Sequence, residues 1–149
     1  MSKSQVFKAL DTFGEAGIAG LLVYGFRYIT GGGGTINIAG LNVGTNLVAA
    51  SLTAGSVGVT SVIDNYAIPL INKKYESGND SDYIRSIAPA VTIGSSMLVF
   101  GSIDYMNGYG LINMENFKGS LLAGASHMAA RYINDAALGS LARLPIISQ

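Results

Sequence analysis

Leu22-Val23-Tyr24-Gly25 recurs 76 residues later as Leu98-Val99-Phe100-Gly101. At the same spacing Gly32 meets Gly108, Gly34 meets Gly110, and Ile36-Asn37-Ile38 meets Ile112-Asn113-Met114. Ile68-Pro69-Leu70-Ile71 likewise meets Leu144-Pro145-Ile146-Ile147 with no gap. A rival pairing, with the second helix of each unit slid by about half a dozen residues, also fits. Self-similarity at a fixed period marks one structural unit written twice. The expectation is a single domain over residues 1–149: one unit over about 6–71, a linker over 72–82 and a second unit over about 83–147.

Each unit reads as a helical hairpin. Apolar runs and breaker residues predict helices over Val6–Ile29, Asn42–Ile68, Asp82–Tyr105 and Glu115–Leu144, an all-α architecture of four helices. Pro69 and Pro145 are expected to stop the second helix of each unit, because proline lacks an amide proton and its ring collides with the preceding turn. Gly31–Gly34 and Asn107-Gly108-Tyr109-Gly110 break the chain between helices. Thr35-Ile36-Asn37-Ile38 and Leu41-Asn42-Val43 alternate around Ala39-Gly40, the pattern of a small β-hairpin that cuts back the start of the second helix. The segment Lys73–Asp82, rich in charge, Asn, Ser and Gly, reads as a solvated linker.

Charge spacing points to lipid. Charged residues make up 12% of the chain, against 49% hydrophobic, about half the usual globular share of charge. Between Arg27 and Asp64, and again from Ser86 to Ile103, no Asp, Glu, Lys or Arg intervenes. The first run is long enough for a loop plus a whole span, and the second is close to the length needed to cross a hydrocarbon core about 30 Å thick. Ala16–Phe26, bracketed by Glu15 and Arg27, and Gly119–Ala130, stopped by Arg131, are shorter. The repeat promotes the first of these, since it occupies the place of the third helix. A cleaved signal peptide competes for the N-terminus, but a glycine run stands where an A-x-A site belongs.

Two crossings per unit make the units co-oriented, in the manner of parallel repeats. Lys3, Lys8, Lys73, Lys74, Arg85 and Arg143 then share one side, while the glycine-rich connections carry Arg27 and Lys118. By the positive-inside rule both termini face the cytoplasm or its equivalent. Tyrosines near the predicted span ends, among them Tyr24, Tyr28, Tyr66, Tyr75, Tyr83, Tyr105 and Tyr109, fit an aromatic belt.

Small residues are spaced for close helix contact: Gly14, Gly17 and Gly20 in the first helix, Ala50, Ala54 and Gly58 in the second, Ala125 and Ala129 in the fourth, with Ser126 and Ala130 beside them. In lipid such stripes let backbones approach. Asp64, Arg131 and Asp135 are charges placed deep in candidate spans, where an ionisable group is costly. Two arrangements are open: a polar path with Arg131 facing Asp64, or a structural pair of Arg131 with Asp135 one turn away.

Catalytic, cofactor and metal sites are not expected. The chain has no cysteine and one histidine, which excludes thiolate chemistry, and no cluster of titratable groups stands out. His127 reads as a packed ring with a hydrogen bond, and Ser126-His127 points two ways on a helix. Gly31–Gly34 lacks the Lys-Ser/Thr of a phosphate loop. Nine basic and nine acidic residues cancel, so no field draws nucleic acid.

The duplicated Leu-Val-aromatic-Gly hairpin, the Gly/Ala/Ser spans and the Ile-Pro-Leu-Ile and Leu-Pro-Ile-Ile segments together resemble the small multi-pass proteins of the membrane beneath the capsid of large icosahedral double-stranded DNA viruses. The resemblance is one of texture over the four helices, without a diagnostic motif. It implies a virion membrane protein linking bilayer and capsid. The glycine-rich four-span import-channel family of mitochondria shares part of that texture. The expected function is therefore a non-enzymatic structural subunit, with membrane lipid and other protein subunits as partners. A small ion channel or carrier, and a soluble helical subunit buried in a large complex, are the alternatives.

Overall fold

The computed structural model describes residues 3–75 and 81–143. Its order is α1 (Lys3–Ile29), β1 (Thr35–Ile38), β2 (Leu41–Gly44), α2 (Thr45–Val62), a π-helical turn (Ile63–Ala67), α3 (Ile68–Tyr75), α4 (Ser81–Met106) and α5 (Met114–Ala142). Helices α2 and α3 join through the π turn into one rod, so four long rods make the body. They pack in a ring: α1 against α2 and α5, and α4 against α5 and α2, with the α2–α4 seam the thinnest. The second proline motif, Pro145, lies outside the described residues.

Pro69 does not stop the second helix. It sits in α3, and the rod runs on to Tyr75, into the segment read as linker. A proline ring collides with the carbonyl four residues back, here Asn65. The ladder is widened at that point: the Ile68 amide donates to the Ile63 carbonyl, one residue further back than in an α-helix. Pro89 likewise lies inside α4.

The hairpin is as expected, with Ile36 opposite Val43 and Ile38 opposite Leu41. Both residues of its turn have positive φ, Ala39 at 52° and Gly40 at 85°, the type I′ geometry that matches strand twist. Alanine in this region is strained by roughly 1–2 kcal/mol, a cost asparagine relieves in part. Ala39→Asn should therefore raise the thermal unfolding midpoint by an amount equivalent to about 0.5–1 kcal/mol. A lowered midpoint would refute the strain argument.

The repeated words do not share a face. Val23 is buried and its counterpart Val99 is exposed, whereas Tyr24 is exposed and Phe100 buried. At the same spacing buried Ala49 and Thr53 would meet Ala125 and Ala129, which are exposed. The slid pairing agrees better: Ala50 with Ser120, Thr53 with Ala123, Val57 with His127 and Thr60 with Ala130 are buried on both sides. The cause is the first connection, which carries the β-hairpin while the second is a short turn ending at the Asn113 cap. Asn113 Oδ1 accepts from the Asn116 amide at 2.9 Å, and Asp104 Oδ2 accepts from the side chains of Asn113 and Asn116.

Burial is inverted. The interior holds six alanines and a run of polar groups, including Thr12, Glu15, Ser61, Thr92, His127 and Asn134, with Val23, Val57, Phe100 and Ile103 as its larger apolar members. The outside carries Phe13, Leu21, Phe26, Leu98, Met128 and Ile133. Two helices, Thr45–Ile71 and Ser86–Met106, are long and apolar enough to cross a membrane. Helices α1 and α5, of 27 and 29 residues, exceed the span length of about 20 residues but are interrupted by the polar groups of the interior.

Candidate functional site

Helix α1 presents Asp11, Glu15, Ala19 and Val23 at successive four-residue steps, which puts them on one stripe. The stripe faces the bundle, so Glu15 goes inside with the alanines and is buried. On α5 steps of four, three and four align Ala123, His127, Ala130 and Asn134 inward. Where α1 and α5 pack, the carboxylate meets the ring: His127 Nε2 lies 3.0 Å from Glu15 Oε1, with the two side chains 0% and 4% exposed. The other ring nitrogen, Nδ1, is 2.9 Å from Thr92 Oγ1 on α4.

A buried carboxylate persists as an anion only when surrounded by donors. Around Glu15, His127 faces Oε1 at 3.0 Å, Ser61 Oγ on α2 donates to Oε2 at 3.5 Å, and the Arg131 guanidinium forms an ion pair, its Nε 3.5 Å from Oε1. A carboxylate accepts only, so the arrangement with ionised Glu15 has the proton on Nε2 and Nδ1 accepting from the Thr92 hydroxyl. Thr92 in turn accepts from Ser56 Oγ at 3.3 Å, and Ser56 and Ser95 hydroxyls lie 2.9 Å apart. A second layer sits one turn nearer the termini. Asn65 Nδ2 donates to Asp11 Oδ2 at 2.7 Å, and Asn134 Nδ2 donates to the Asp11 carbonyl and Oδ1 at 3.2 Å.

The buried cluster of Glu15, His127 and Arg131 overturns the sequence reading that no titratable groups come together. The hydrogen-bonded, packed ring expected of His127 is what the structure contains. Arg131 meets Glu15, a residue read from sequence only as a bracket of the first span. Asp64 lies half-buried in the π turn and Asp135 is exposed on α5. Among the described residues no group of three His, Asp or Glu side chains could hold a metal.

The small-residue series divide into two kinds. A Cβ on Gly20 would stand 3.2 Å from the Ala50 carbonyl oxygen and from Ala54 Cβ, and one on Gly58 would touch Ala16, so these belong to the α1–α2 seam. Gly14 is covered by the Asn134 amide. Gly17 has nothing within 4 Å, and Ala125 and Ala129 are exposed while Ser126 and Ala130 face inward. At the glycine-rich end Arg27 Nε donates to Asn46 Oδ1 at 3.0 Å, and Asn46 Nδ2 donates to the Gly32 carbonyl. This ties the first connection to α2.

Comparison with protein-family models, with curated protein sequences and with solved structures finds no match to this chain.

Proposed function

We propose that the protein is a multi-pass membrane subunit whose four rods all cross the bilayer, and that it serves a structural role within a larger assembly. The observation that carries the reading is the inverted burial. A large apolar side chain left in water forgoes roughly 1.5–3 kcal/mol relative to burial. A core of alanines, serines and threonines recovers little of it. With lipid as the surroundings the same distribution is favourable, because Phe13, Leu21, Leu98 and Met128 meet hydrocarbon and the polar groups meet one another. Glu15, His127 and Arg131 sit inward, where intramembrane ionisable groups belong.

The assembly part rests on the outward small residues. Gly17 and Gly94 are exposed with open space at the Cβ position, and Ala125 and Ala129 line the outside of α5. Such positions admit a neighbouring helix at close range. The virion membrane implied by the sequence resemblance is the setting proposed for it. Carbonate washing should leave the protein in the membrane fraction, and mild detergent should release it as a complex larger than one chain. Release by carbonate would defeat the spanning reading. A single chain in mild detergent would defeat the subunit reading.

A further inference from the structure

We propose that Ser56, Thr92, His127 and Glu15 form a proton relay through the middle of the bundle, ending on the Glu15 carboxylate. The proposal rests on the spanning reading and adds an activity to it. Each of the four rods contributes one member, and every link is within hydrogen-bond range: Ser56 to Thr92 at 3.3 Å, Thr92 to His127 Nδ1 at 2.9 Å and His127 Nε2 to Glu15 Oε1 at 3.0 Å. The Ser56 end opens on a groove of about 340 Å³ between α2 and α4, lined in part by Ser51, Ser95 and Ser96. Leu52, Val59, Val91 and Val99 make most of its surface apolar, and the paired Ser56 and Ser95 hydroxyls are the polar partners for a water that enters it.

The chain can be polarised in two directions, as a relay requires. In the first, Ser56 donates to Thr92, Thr92 donates to Nδ1, and Nε2–H donates to the Glu15 carboxylate. A proton arriving from groove water on Ser56 Oγ displaces the serine proton onto Thr92. The threonine proton passes to Nδ1, and the Nε2 proton passes to Glu15. One proton enters, one carboxylate becomes a carboxylic acid, and every hydrogen bond is remade with reversed polarity. Glu15 gives its proton up on the side of Ser61, the hydroxyl that faces Oε2, and rotation of the hydroxyls and the imidazole restores the first state.

The charged groups around the pair come from three elements. Arg131 of α5 stands 3.5 Å from Glu15 Oε1. Asp11 lies one turn earlier on α1, and Asp64 sits in the π turn. Helix α4 offers hydroxyls at this level, and its Asp104 is about three turns away.

The test is proton flux into vesicles of the reconstituted full chain that enclose a pH-sensitive dye, with the potential clamped by potassium and valinomycin. Wild type should dissipate an imposed pH gradient faster than protein-free vesicles. Thr92→Val, which keeps the shape and removes the hydroxyl, should fall to the protein-free rate. Thr92→Ser should restore flux, and Ser102→Ala, on the same helix outside the chain, should leave it unchanged. Wild-type protein that resists carbonate washing yet conducts no faster than protein-free vesicles overturns the relay and leaves the spanning reading standing. Thr92→Val conducting like wild type also overturns it. Protein released by carbonate removes the spanning reading and the relay together.

Discussion

Replacing Glu15 by alanine should cost roughly 3–5 kcal/mol of stability, the magnitude for removing one partner of a buried charge pair. The variant deletes the acceptor of the His127 Nε2 proton and the counter-charge of Arg131, while the space stays closed to water. His127 is fully buried and cannot turn its ring outward. Arg131 is 20% exposed in its side chain, so it can turn outward in part, which places the loss toward the lower end. Glu15→Gln keeps an acceptor and should recover more than half of the loss. Unfolding in detergent, followed by the loss of helical signal against denaturant, reads both variants. Equal stability of Glu15→Ala and wild type would show that the carboxylate is not held as the geometry indicates.

The second large effect contrasts two glycines three residues apart. Gly20→Leu should destabilise the chain by about 1–3 kcal/mol through overpacking. Even its first side-chain carbon would press on the Ala50 carbonyl and Ala54, forcing α1 from α2. Gly17→Leu, whose Cβ meets nothing within 4 Å, should leave the folded chain within ~0.5 kcal/mol of wild type. It should instead weaken the assembly, because the leucine stands where a neighbouring helix would approach. Detergent unfolding and native size, measured on both variants, separate the two outcomes. If Gly17→Leu unfolds the chain as readily as Gly20→Leu, the division of the glycine stripe into inner and outer faces is wrong.

The elements were legible because their signals are local. The hairpin declares itself by alternation around Ala39-Gly40, and the helices by long apolar runs closed with glycines. Pro69 was misread because local chemistry says "stop", whereas a π turn just ahead of it makes room for the ring. The face of each repeat was also hidden. Leu-Val-aromatic-Gly matches as letters, but the longer first connection changes how the second rod meets the first, and Val23 turns in where Val99 turns out. The Glu15–His127 pair spans 112 residues and depends on which helices become neighbours, which no single window of sequence contains. A signal was nonetheless present. Asp11, Glu15, Ala19 and Val23 share a stripe with small residues, and Ala123, His127, Ala130 and Asn134 share another. Two polar groups on two small-residue stripes could have been matched.

The central claim is that four rods cross a bilayer with their apolar side chains outward, and the absence of cysteine allows it to be read one residue at a time. Single cysteines at Phe13, Leu21, Leu98 and Met128 should resist a membrane-impermeant maleimide in intact vesicles. One at Gly33 or Tyr109 should react from one side of the membrane, and one at Gln5 from the other. Reaction of the Phe13, Leu21 and Met128 positions as fast as Gly33, or of Gln5 and Gly33 from the same side, would contradict the account.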